Sequence, residues 1–416
     1  MKLVYKFQYK PNRINGIILS SLTYASARLF NVGNYERYEY ENLGFLKMPD
    51  WYDQKKRLKD NEWFKALPAQ TSQDTLKRVQ EGWISYFKLL KTKGIENPKP
   101  PFYKRKGGHF NVKYLNNSFK VIDDRAIRFM ISKNQKEYLK NKYNIDSKFF
   151  YIKLDKKIEN IKQIEFKYID DSHYDVYIVY EIGNNDAKIN NGKYISIDLG
   201  VCNLATIYDN SGKSFIISGN TYQNTLYYYN KRIAHYQSIL IKETNDEHAK
   251  SKRLNKLYEK KKRVISYIIH AATRKIVNYC VCNDITGVII GDIKGIRENN
   301  DKGHVFNQKL HSLPYKEFYQ KLEYKLKLEG ISLYYQNEAY TSSCPIDSIN
   351  ISKEYQNKGR IKRGLYKDKN IIYNADSVGA YNIMRLYSLK NNIEIPMVIK
   401  GLSNPSKISI CVTSNN

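Results

Sequence analysis

Three acidic residues in this chain are candidates for binding the metal ions that hydrolyse phosphodiester bonds. Asp198 ends the apolar segment Ile195-Ser-Ile-Asp198, Asp376 begins a helical segment, and Glu338 precedes Ala-Tyr-Thr-Ser-Ser-Cys344. Hydrolysis by two Mg²⁺ ions about 3.5 to 4 Å apart requires several converging carboxylates, which activate water and neutralise the leaving oxygen.

Each acid also fits an ordinary structural role. Asp198 is followed by Leu-Gly, and aspartate and glycine are both common in turns. Asp376 fits the N-cap of a helix, and Glu338 fits a solvated loop. Gly379 would let the helix that starts near Asp376 lie close to a sheet, which would bring Asp376 near the end of the strand that carries Asp198.

The charge of the chain points to a polyanionic partner. Its 416 residues include 70 Lys and Arg against 41 Asp and Glu, a formal net charge of +29 that is spread over the whole sequence. Nucleic acid is the polyanion that such a distribution favours. Because no signal sequence and no membrane-length apolar run is present, we expect a soluble cytoplasmic protein with no membrane partner, and favour a monomer.

The cysteines and tyrosines narrow the chemistry further. The five cysteines, at positions 202, 280, 282, 344 and 411, form no Cys-x-x-Cys pair. This pattern argues against a disulfide framework and against an intact structural zinc site. Of the 38 tyrosines, some could stack on unpaired bases, although packing is the ordinary role of a tyrosine.

The first half of the chain alternates between strand and helix patterns. Residues 1–9 alternate apolar and polar side chains, residues 14–93 have helical periodicity, and 97–108 form a Pro-rich basic linker. Short alternating segments follow at 149–154 and 174–181. We predict a small β-barrel built from residues 1–13 and 94–190, with a helical module at 14–93 inserted between its strands.

The second half predicts a mixed α/β domain over residues 191–416. Three short strands are followed by two long basic helices, and then helix and strand alternate, which is the order of a ribonuclease H-like sheet. We expect the tail, 403–416, to be disordered. The predicted strands are 194–200, 204–208, 214–218, 287–290 and 331–335, and the predicted helices are 222–242, 252–282, 315–328 and one that follows Asp376.

Several of these segments carry a family resemblance. The strand Ile195–Thr206, the run Tyr340–Cys344 and the helix Asp376–Ile383 resemble TnpB (OrfB) proteins of bacterial insertion sequences, which are relatives of type V CRISPR effectors. Pro68–Gln73 and Pro98–Lys106 resemble that family's recognition-helix and wedge-domain signatures. The resemblance covers nearly the whole chain, and the ordered combination of motifs is specific although each motif alone is weak.

The resemblance implies an RNA-guided, Mg²⁺-dependent DNA endonuclease. It implies an α+β multidomain fold with a wedge barrel, an inserted recognition module and a RuvC-like nuclease domain, together with a guide RNA, target double-stranded DNA and two Mg²⁺ ions. In such proteins, guide pairing reads most of the target sequence. Two alternatives stay open: a nuclease-inactive RNA-guided DNA-binding regulator, and a miniature type V CRISPR effector with the same chemistry.

The chain departs from the family at the second motif strand. The family usually has Glu-Asp there, whereas this sequence has Val288-Ile-Ile-Gly291-Asp292. Asp292 is a poor substitute for the missing glutamate, because adjacent strand residues point to opposite faces. We predict that Glu338 enters the space left by Gly291 and completes a catalytic, metal-binding set with Asp198 and Asp376. The alternatives are Asp292 in that role or loss of cleavage.

The second departure is the zinc ribbon, expected at about residues 341–372. Only Cys344 of the usual two Cys-x-x-Cys pairs remains, and Asp347 stands at the second position. Four tetrahedral ligands cannot be assembled from this segment. We therefore predict a degenerate ribbon without structural zinc and a basic loop over residues 353–369.

Phosphate contacts are predicted from three groups of basic residues. One group lies in the Pro-rich linker, the second recurs along one side of a predicted helix, and the third lies in the degenerate ribbon. Counterion release would make such binding strongly dependent on salt. These residues are Lys104, Arg105 and Lys106; Arg253, Lys256, Lys260 and Arg263; and Arg360 and Arg363.

Overall fold

The chain divides into two compact units, Met1–Gly183 and Asn184–Asn416. The structure is a computed structural model. It describes residues 1–92, 95–183, 185–200, 202–292, 312–356, 360–362, 364–368 and 370–412, with the backbone alone at 360 and 362. Each unit has its own apolar clusters.

The first unit contains two antiparallel sheets. A four-stranded sheet has the order β1-β7-β6-β2 and a three-stranded sheet has the order β3-β4-β5. The pairing of β1 with β7 confirms that the first strand joins a sheet. The strands are β1 Lys2–Tyr9, β2 Val112–Leu115, β3 Phe119–Val121, β4 Ala126–Met130, β5 Phe149–Lys153, β6 Ile161–Asp170 and β7 His173–Glu181.

The helices of the first unit share their core with these sheets. Leu22 and Leu29 are buried in the same apolar cluster as Phe129 and Phe166. Among the described strands, no ladder joins the two sheets, so the predicted barrel is replaced by two sheets around one core. The helices are α1 Arg13–Tyr38, α2 Trp51–Arg57, α3 Glu62–Lys65, α4 Ala69–Thr92 and α5 Lys133–Tyr143, with 3₁₀ turns at Leu58–Asp60 and Asn116–Ser118.

The second unit is built on a mixed six-stranded sheet with the order β12-β11-β8-β9-β10-β16. Strands β8, β9 and β10 are antiparallel neighbours, whereas β11 and β12 run parallel to β8. The order of β8 to β12 with their helices is the predicted one, whereas β16 was not predicted. The strands are β8 Tyr194–Asp198, β9 Asn203–Asp209, β10 Ser214–Ser218, β11 Gly287–Asp292, β12 Ser332–Asn337 and β16 Ser406–Ile408.

Helices cover both faces of this sheet. Ile197 and Ile290 pack in one cluster with residues of α7 and α8, whereas Ile289 packs on the opposite face with residues of α9. Burial on both faces explains why these strands have nearly continuous apolar runs. The helices are α6 Asn220–Thr244, α7 Lys252–Cys282, α8 Tyr315–Leu328 and α9 Ala375–Asn391, with 3₁₀ turns at Lys353–Tyr355 and Lys400–Leu402.

The prediction of a basic loop over residues 353–369 was wrong for the described part of that segment. Strands β13 Arg360–Lys362, β14 Leu365–Asp368 and β15 Ile371–Asn374 form an antiparallel sheet. The side chain of Tyr366 on β14 is fully buried. Because this aromatic side chain packs in the cluster with α9, the segment folds as a hairpin despite its many charged residues.

The prediction of a disordered tail was also wrong up to residue 412. Strand β16 pairs parallel with β10. Ile410 is buried in the main apolar cluster, and Ile408 packs against it. These apolar side chains anchor the tail to the sheet edge, and residues 413–416 lie outside the described residues.

In the ranges that the structure describes, no helix has both the length and the apolar character needed to cross a membrane.

Candidate active site

Two of the three candidate acids, Asp198 and Glu338, lie at the carboxyl ends of parallel strands in the sheet of the second unit. Strands β8, β11 and β12 are parallel, so their carboxyl ends meet at one edge of the sheet. Ile290 is level with Ile197, which places Gly291 beside Asp198 at the ends of their strands. Glu338 follows β12 directly. Parallel pairing thus brings together residues that are up to 140 positions apart in the sequence.

The alternation of the strands decides which side chains face α9. The Ser196 hydroxyl donates to the Ala380 carbonyl of α9 over 2.6 Å, so this face of β8 lies against α9. Two residues further on, Asp198 lies on the same face. Gly291 lies on that face of β11, because a Cβ added to it would lie 3.2 Å from Cδ1 of Ile383 in α9. Asp292 therefore lies on the opposite side of β11, as the sequence argument expected.

The Glu338 carboxylate fills the space that a side chain at position 291 would take. A Cβ added to Gly291 would overlap Oε2 of Glu338 and would lie 3.2 Å from Cδ1 of Ile383. Oε2 is buried and has no hydrogen-bond partner among the described residues. Burial, and to a smaller extent the charge of Asp292, raises the pKa of Glu338 to about 7.

Asp198 is in close contact with the start of α9. A Cβ added to Gly379 would lie 2.5 Å from Oδ2 of Asp198. The absence of a side chain at 379 therefore lets the helix approach this carboxylate, which was the role expected for that glycine.

Asp376 lies in the first turn of α9 and is not its N-cap. Asn374 caps the helix, because its Oδ1 accepts from the backbone N–H groups of Asp376 and Ser377, both over 3.1 Å. Oδ2 of Asp376 accepts a hydrogen bond of 2.6 Å from the Asn203 amide, at the start of β9. The N-cap interpretation of Asp376 is therefore wrong, and Asn203 is a partner that the sequence analysis missed.

The turn that carries Glu338 is fastened to α9. The fully buried Asn382 amide donates to the carbonyls of Thr341 and Cys344, over 2.8 and 2.9 Å. Thr341 in turn donates from its hydroxyl to the Glu338 carbonyl over 2.8 Å. Asn382 lies within the motif Asp376–Ile383 but was not predicted as a site residue; its signal in the sequence is a polar residue between apolar neighbours.

The three candidate acids suit a metal ion by the type of their ligand atoms and not by their spacing. Within the described ranges, no three or more His, Cys, Asp or Glu side chains lie close enough together to hold a metal ion. The acids are nevertheless all oxygen donors, which magnesium prefers, and Oε2 of Glu338 is buried with no described partner. The residue types fit Mg²⁺, and the role of the three acids as ligands stays a prediction.

Cys344 packs as an apolar residue. Its side chain is fully buried with Ile351 and Leu386, and its Sγ lies 3.4 Å from the Ser352 carbonyl. Burial raises the pKa of this thiol, which disfavours the thiolate that zinc binding requires.

The predicted phosphate-binding residues occupy different environments. On α7, the four basic residues named above are exposed, and the Arg253 guanidinium lies 3.8 Å from the ring centroid of Tyr236. Arg105 and Lys106 are exposed, whereas the Lys104 ammonium lies over Phe30 at 4.2 Å. Arg363 and the side chain of Arg360 lie outside the described residues.

Comparisons with known proteins match both parts of the site. The OrfB_IS605 family model, described as a probable transposase, matches residues 177–297, which include Asp198 and Gly291. The model of the Cas12f1-like TNB domain matches residues 315–383, which include Glu338 and Asp376. A TnpB-like protein, ORF457 of Acidianus two-tailed virus, is 21% identical over 92% of this chain and 88% of its own length.

The chain is similar to the TnpB/OrfB family. Through the Cas12f1-like domain match, it is also similar to the miniature type V effectors. The solved structure of a Cas12f1–sgRNA–target DNA complex is 17% identical to this chain, with a TM-score of 0.56 over 89% of this chain and 83% of that one. That likeness shows a shared mixed α/β multidomain fold. The structure of a mini-RNA-guided endonuclease, CRISPR-Cas_phi3, covers 93% of this chain and 92% of that one, with 12% identity and a TM-score of 0.43.

Proposed function

We propose that this TnpB-like protein is an RNA-guided, Mg²⁺-dependent DNA endonuclease whose single RuvC-like site consists of Asp198, Glu338 and Asp376. The observation that carries the proposal is the position of the Glu338 carboxylate, whose buried Oε2 fills the space beside Gly291, near the strand end that carries Asp198. A carboxylate from another strand thus replaces the one that the family usually has at position 291.

The residues of the chain have separate tasks in this site. Asp198, Glu338 and Asp376 would hold Mg²⁺, which when bound activates water and neutralises the developing negative charge. Glu338 must lose its proton before it can act as a ligand. Asn203 orients Asp376 through its 2.6 Å hydrogen bond. Asn382 orients Glu338 indirectly, because it fastens the turn that follows Glu338 to α9.

The proposed partners are a guide RNA and target double-stranded DNA. The Cas12f1 structure that shares the fold is a complex with sgRNA and target DNA, and we extend this partnership to the present chain. The exposed basic residues of α7 would lie along a phosphate backbone. We assign the predicted wedge and recognition roles to the first unit, and the predicted nuclease domain to residues 191–416.

A nuclease-inactive guided DNA-binding regulator is the second candidate function. Gly291 favours it, because the position of the usual catalytic glutamate has no side chain. The described acids also form no compact group that could hold a metal. A miniature CRISPR effector would use the same chemistry, and the neighbouring locus, not the chain, would distinguish it.

The deciding experiment is a cleavage assay on the protein purified with RNA transcribed beside its gene. A DNA target library would be incubated with and without Mg²⁺, using the wild type, Asp198→Ala, Glu338→Gln and Asp292→Asn. Glu354→Gln is the matched control, because Glu354 is an exposed acid in the ribbon segment. We expect cleavage by the wild type, Asp292→Asn and the control only.

Two outcomes would change the proposal. Full activity of Glu338→Gln would overturn the relocated carboxylate. Guided DNA binding by the wild type without any cleavage would select the regulator.

A further inference from the structure

A cavity of about 820 Å³ in the first unit has no role in the proposed nuclease site. It lies among α1, α3, α5 and the turn between β6 and β7. Its volume falls within the roughly 300 to 1,000 Å³ typical of small-molecule sites. Small residues of α1, including Gly16, Ser20 and Ala25, form part of its lining and leave this space open.

Aromatic rings line the cavity on more than one element. Trp63 of α3 meets Tyr24 of α1 edge to face, with ring centroids 5.7 Å apart. The ring centroid of His109 lies 6.4 Å from that of Tyr24. Tyr138 and Tyr143 line the cavity from α5, and each is 42% exposed. A planar ligand would therefore find ring surfaces on both the α1–α3 side and the α5 side.

Cations are placed where this aromatic surface meets solvent. Lys10, Arg13 and Lys142 line the cavity and are exposed. In the part of the chain that the structure describes, none of the three forms an ion pair with a carboxylate. The two lining acids are Glu62 and Asp171, and Asp171 accepts a hydrogen bond from the Tyr168 hydroxyl. The cations are thus available to a negatively charged ligand.

Lys142 links the basic and aromatic features. Its ammonium donates to the Tyr138 hydroxyl over 3.0 Å and lies 5.2 Å from the centroid of that ring. The Gln135 amide donates to the Ser21 hydroxyl over 2.5 Å between α5 and α1. Ring faces, a cation and amide groups in one cavity match three features of a nucleotide: the faces of its base, its phosphate and the polar edge of the base.

We propose that this cavity binds one unpaired nucleotide of a nucleic-acid strand. The base lies against the aromatic rings, and its phosphates meet Lys10, Arg13 and Lys142. A base that is paired and stacked within a duplex cannot enter, because both of its faces are already covered. The site lies in the first unit and needs no cleavage, so the proposal stands or falls separately from the nuclease function.

Binding to short oligonucleotides tests this proposal on the full chain in the absence of Mg²⁺. The probes are RNA and DNA strands of one sequence that carry a single 2-aminopurine, each used single-stranded and as a blunt duplex. Anisotropy of an end label reports binding, and 2-aminopurine emission reports stacking of the base. The better-bound strand identifies RNA or DNA as the source of the nucleotide.

The variants are chosen to preserve the fold. Tyr138→Leu removes an exposed ring, and its control is Tyr151→Leu, a tyrosine of the same unit that is 49% exposed outside the cavity. Lys142→Ala is matched by Lys140→Ala, because Lys140 is an exposed lysine of the same helix that does not line the cavity. Trp63→Phe keeps an aromatic ring in the core and tests the side of the cavity that α3 lines.

We expect Tyr138→Leu to weaken single-strand binding about five- to tenfold, as for the loss of one base stack, and to reduce the 2-aminopurine signal. Lys142→Ala should weaken binding more than Lys140→Ala does. Equal losses for single strands and duplexes, or the same affinity in the cavity and control variants, would overturn the proposal. Adenosine monophosphate bound as tightly as the strand would also overturn it, because the site would then take a free nucleotide.

Discussion

The carboxylate of Glu338 stands beside the Cα of Gly291, so that a Cβ at position 291 would lie 3.3 Å from Cδ of Glu338 and would overlap its Oε2. A glutamate at position 291 and the glutamate at position 338 would therefore place a carboxylate in the same space. We predict that Glu338→Ala abolishes cleavage. The double variant Gly291→Glu with Glu338→Ala should recover at least about a tenth of the wild-type rate, which corresponds to an activation barrier at most about 1.36 kcal/mol above that of the wild type.

The single variant Gly291→Glu is the control for this exchange. It places two carboxyl groups in one space, so we expect it to be less stable than either the wild type or the double variant. Cleavage rates with saturating Mg²⁺ and thermal unfolding of all four proteins complete the cycle. A double variant as inactive as Glu338→Ala would contradict the exchange.

The pKa of Glu338 predicts a pH dependence of stability without metal. Its folded-state pKa of about 7 lies above the ordinary value of 4.5, so the folded state holds the proton more tightly than the unfolded state. The free energy of unfolding should therefore fall between about pH 4.5 and 7, by on the order of 3 kcal/mol. Urea unfolding in EDTA measures this decrease, which Glu338→Gln should lack and Glu354→Gln should retain.

Gly379→Ala tests the contact between α9 and Asp198. Alanine normally stabilises a helix relative to glycine by about 1 kcal/mol, but here its Cβ would lie 2.5 Å from Oδ2 of Asp198. We expect a loss of about 1 to 3 kcal/mol in the free energy of unfolding, together with reduced cleavage. Gly16→Ala is the stability control, because the nearest atom to its added Cβ, on Pro11, is 3.7 Å away. A stabilised, fully active Gly379→Ala would show that this contact is unimportant.

Asn203→Ala tests the orientation of Asp376. Loss of the 2.6 Å hydrogen bond to Oδ2 of Asp376 should weaken Mg²⁺ affinity about 10- to 100-fold, as is usual for residues that orient a metal ligand. A Mg²⁺ titration of the cleavage rate would show the shift, and saturating Mg²⁺ should restore much of the rate. Asn255→Ala, on the exposed side of α7, should titrate like the wild type. An unchanged titration for Asn203→Ala would remove Asn203 from the site.

The burial of Cys344 predicts that the ribbon segment binds no zinc and that its stability does not depend on zinc. Its thiol is enclosed with Ile351 and Leu386, and no other cysteine lies between it and Cys411. Treatment with 1,10-phenanthroline should leave the melting temperature unchanged, and mass spectrometry should find no stoichiometric zinc. Cys344→Ala should cost on the order of 1 kcal/mol by loss of packing, whereas the exposed Cys282→Ala should cost little. Stoichiometric zinc whose removal lowers the melting temperature would refute this.

Local patterns in the sequence were sufficient for the helices and strands near the site. The helices Lys252–Cys282 and Tyr315–Leu328 begin and end where periodicity placed them, because apolar spacing reflects which face is buried. The same approach failed at residues 353–369 and in the tail. A few apolar side chains there, such as Tyr366 and Ile410, order segments whose composition is otherwise polar.

The sequence by itself determined which acids were available and showed that position 291 has no carboxylate. Only the tertiary structure decided where Glu338 lies. The register of β11 with β8 and β12, together with the approach of α9 at Gly379, brings residues that are distant in the chain to one sheet edge. The roles of Asn203 and Asn382 were also visible only in the tertiary structure, because their hydrogen bonds link segments that are 173 and 41 residues apart. Long-range pairing and side-chain direction depend on the packed fold, and no local pattern of residues encodes them.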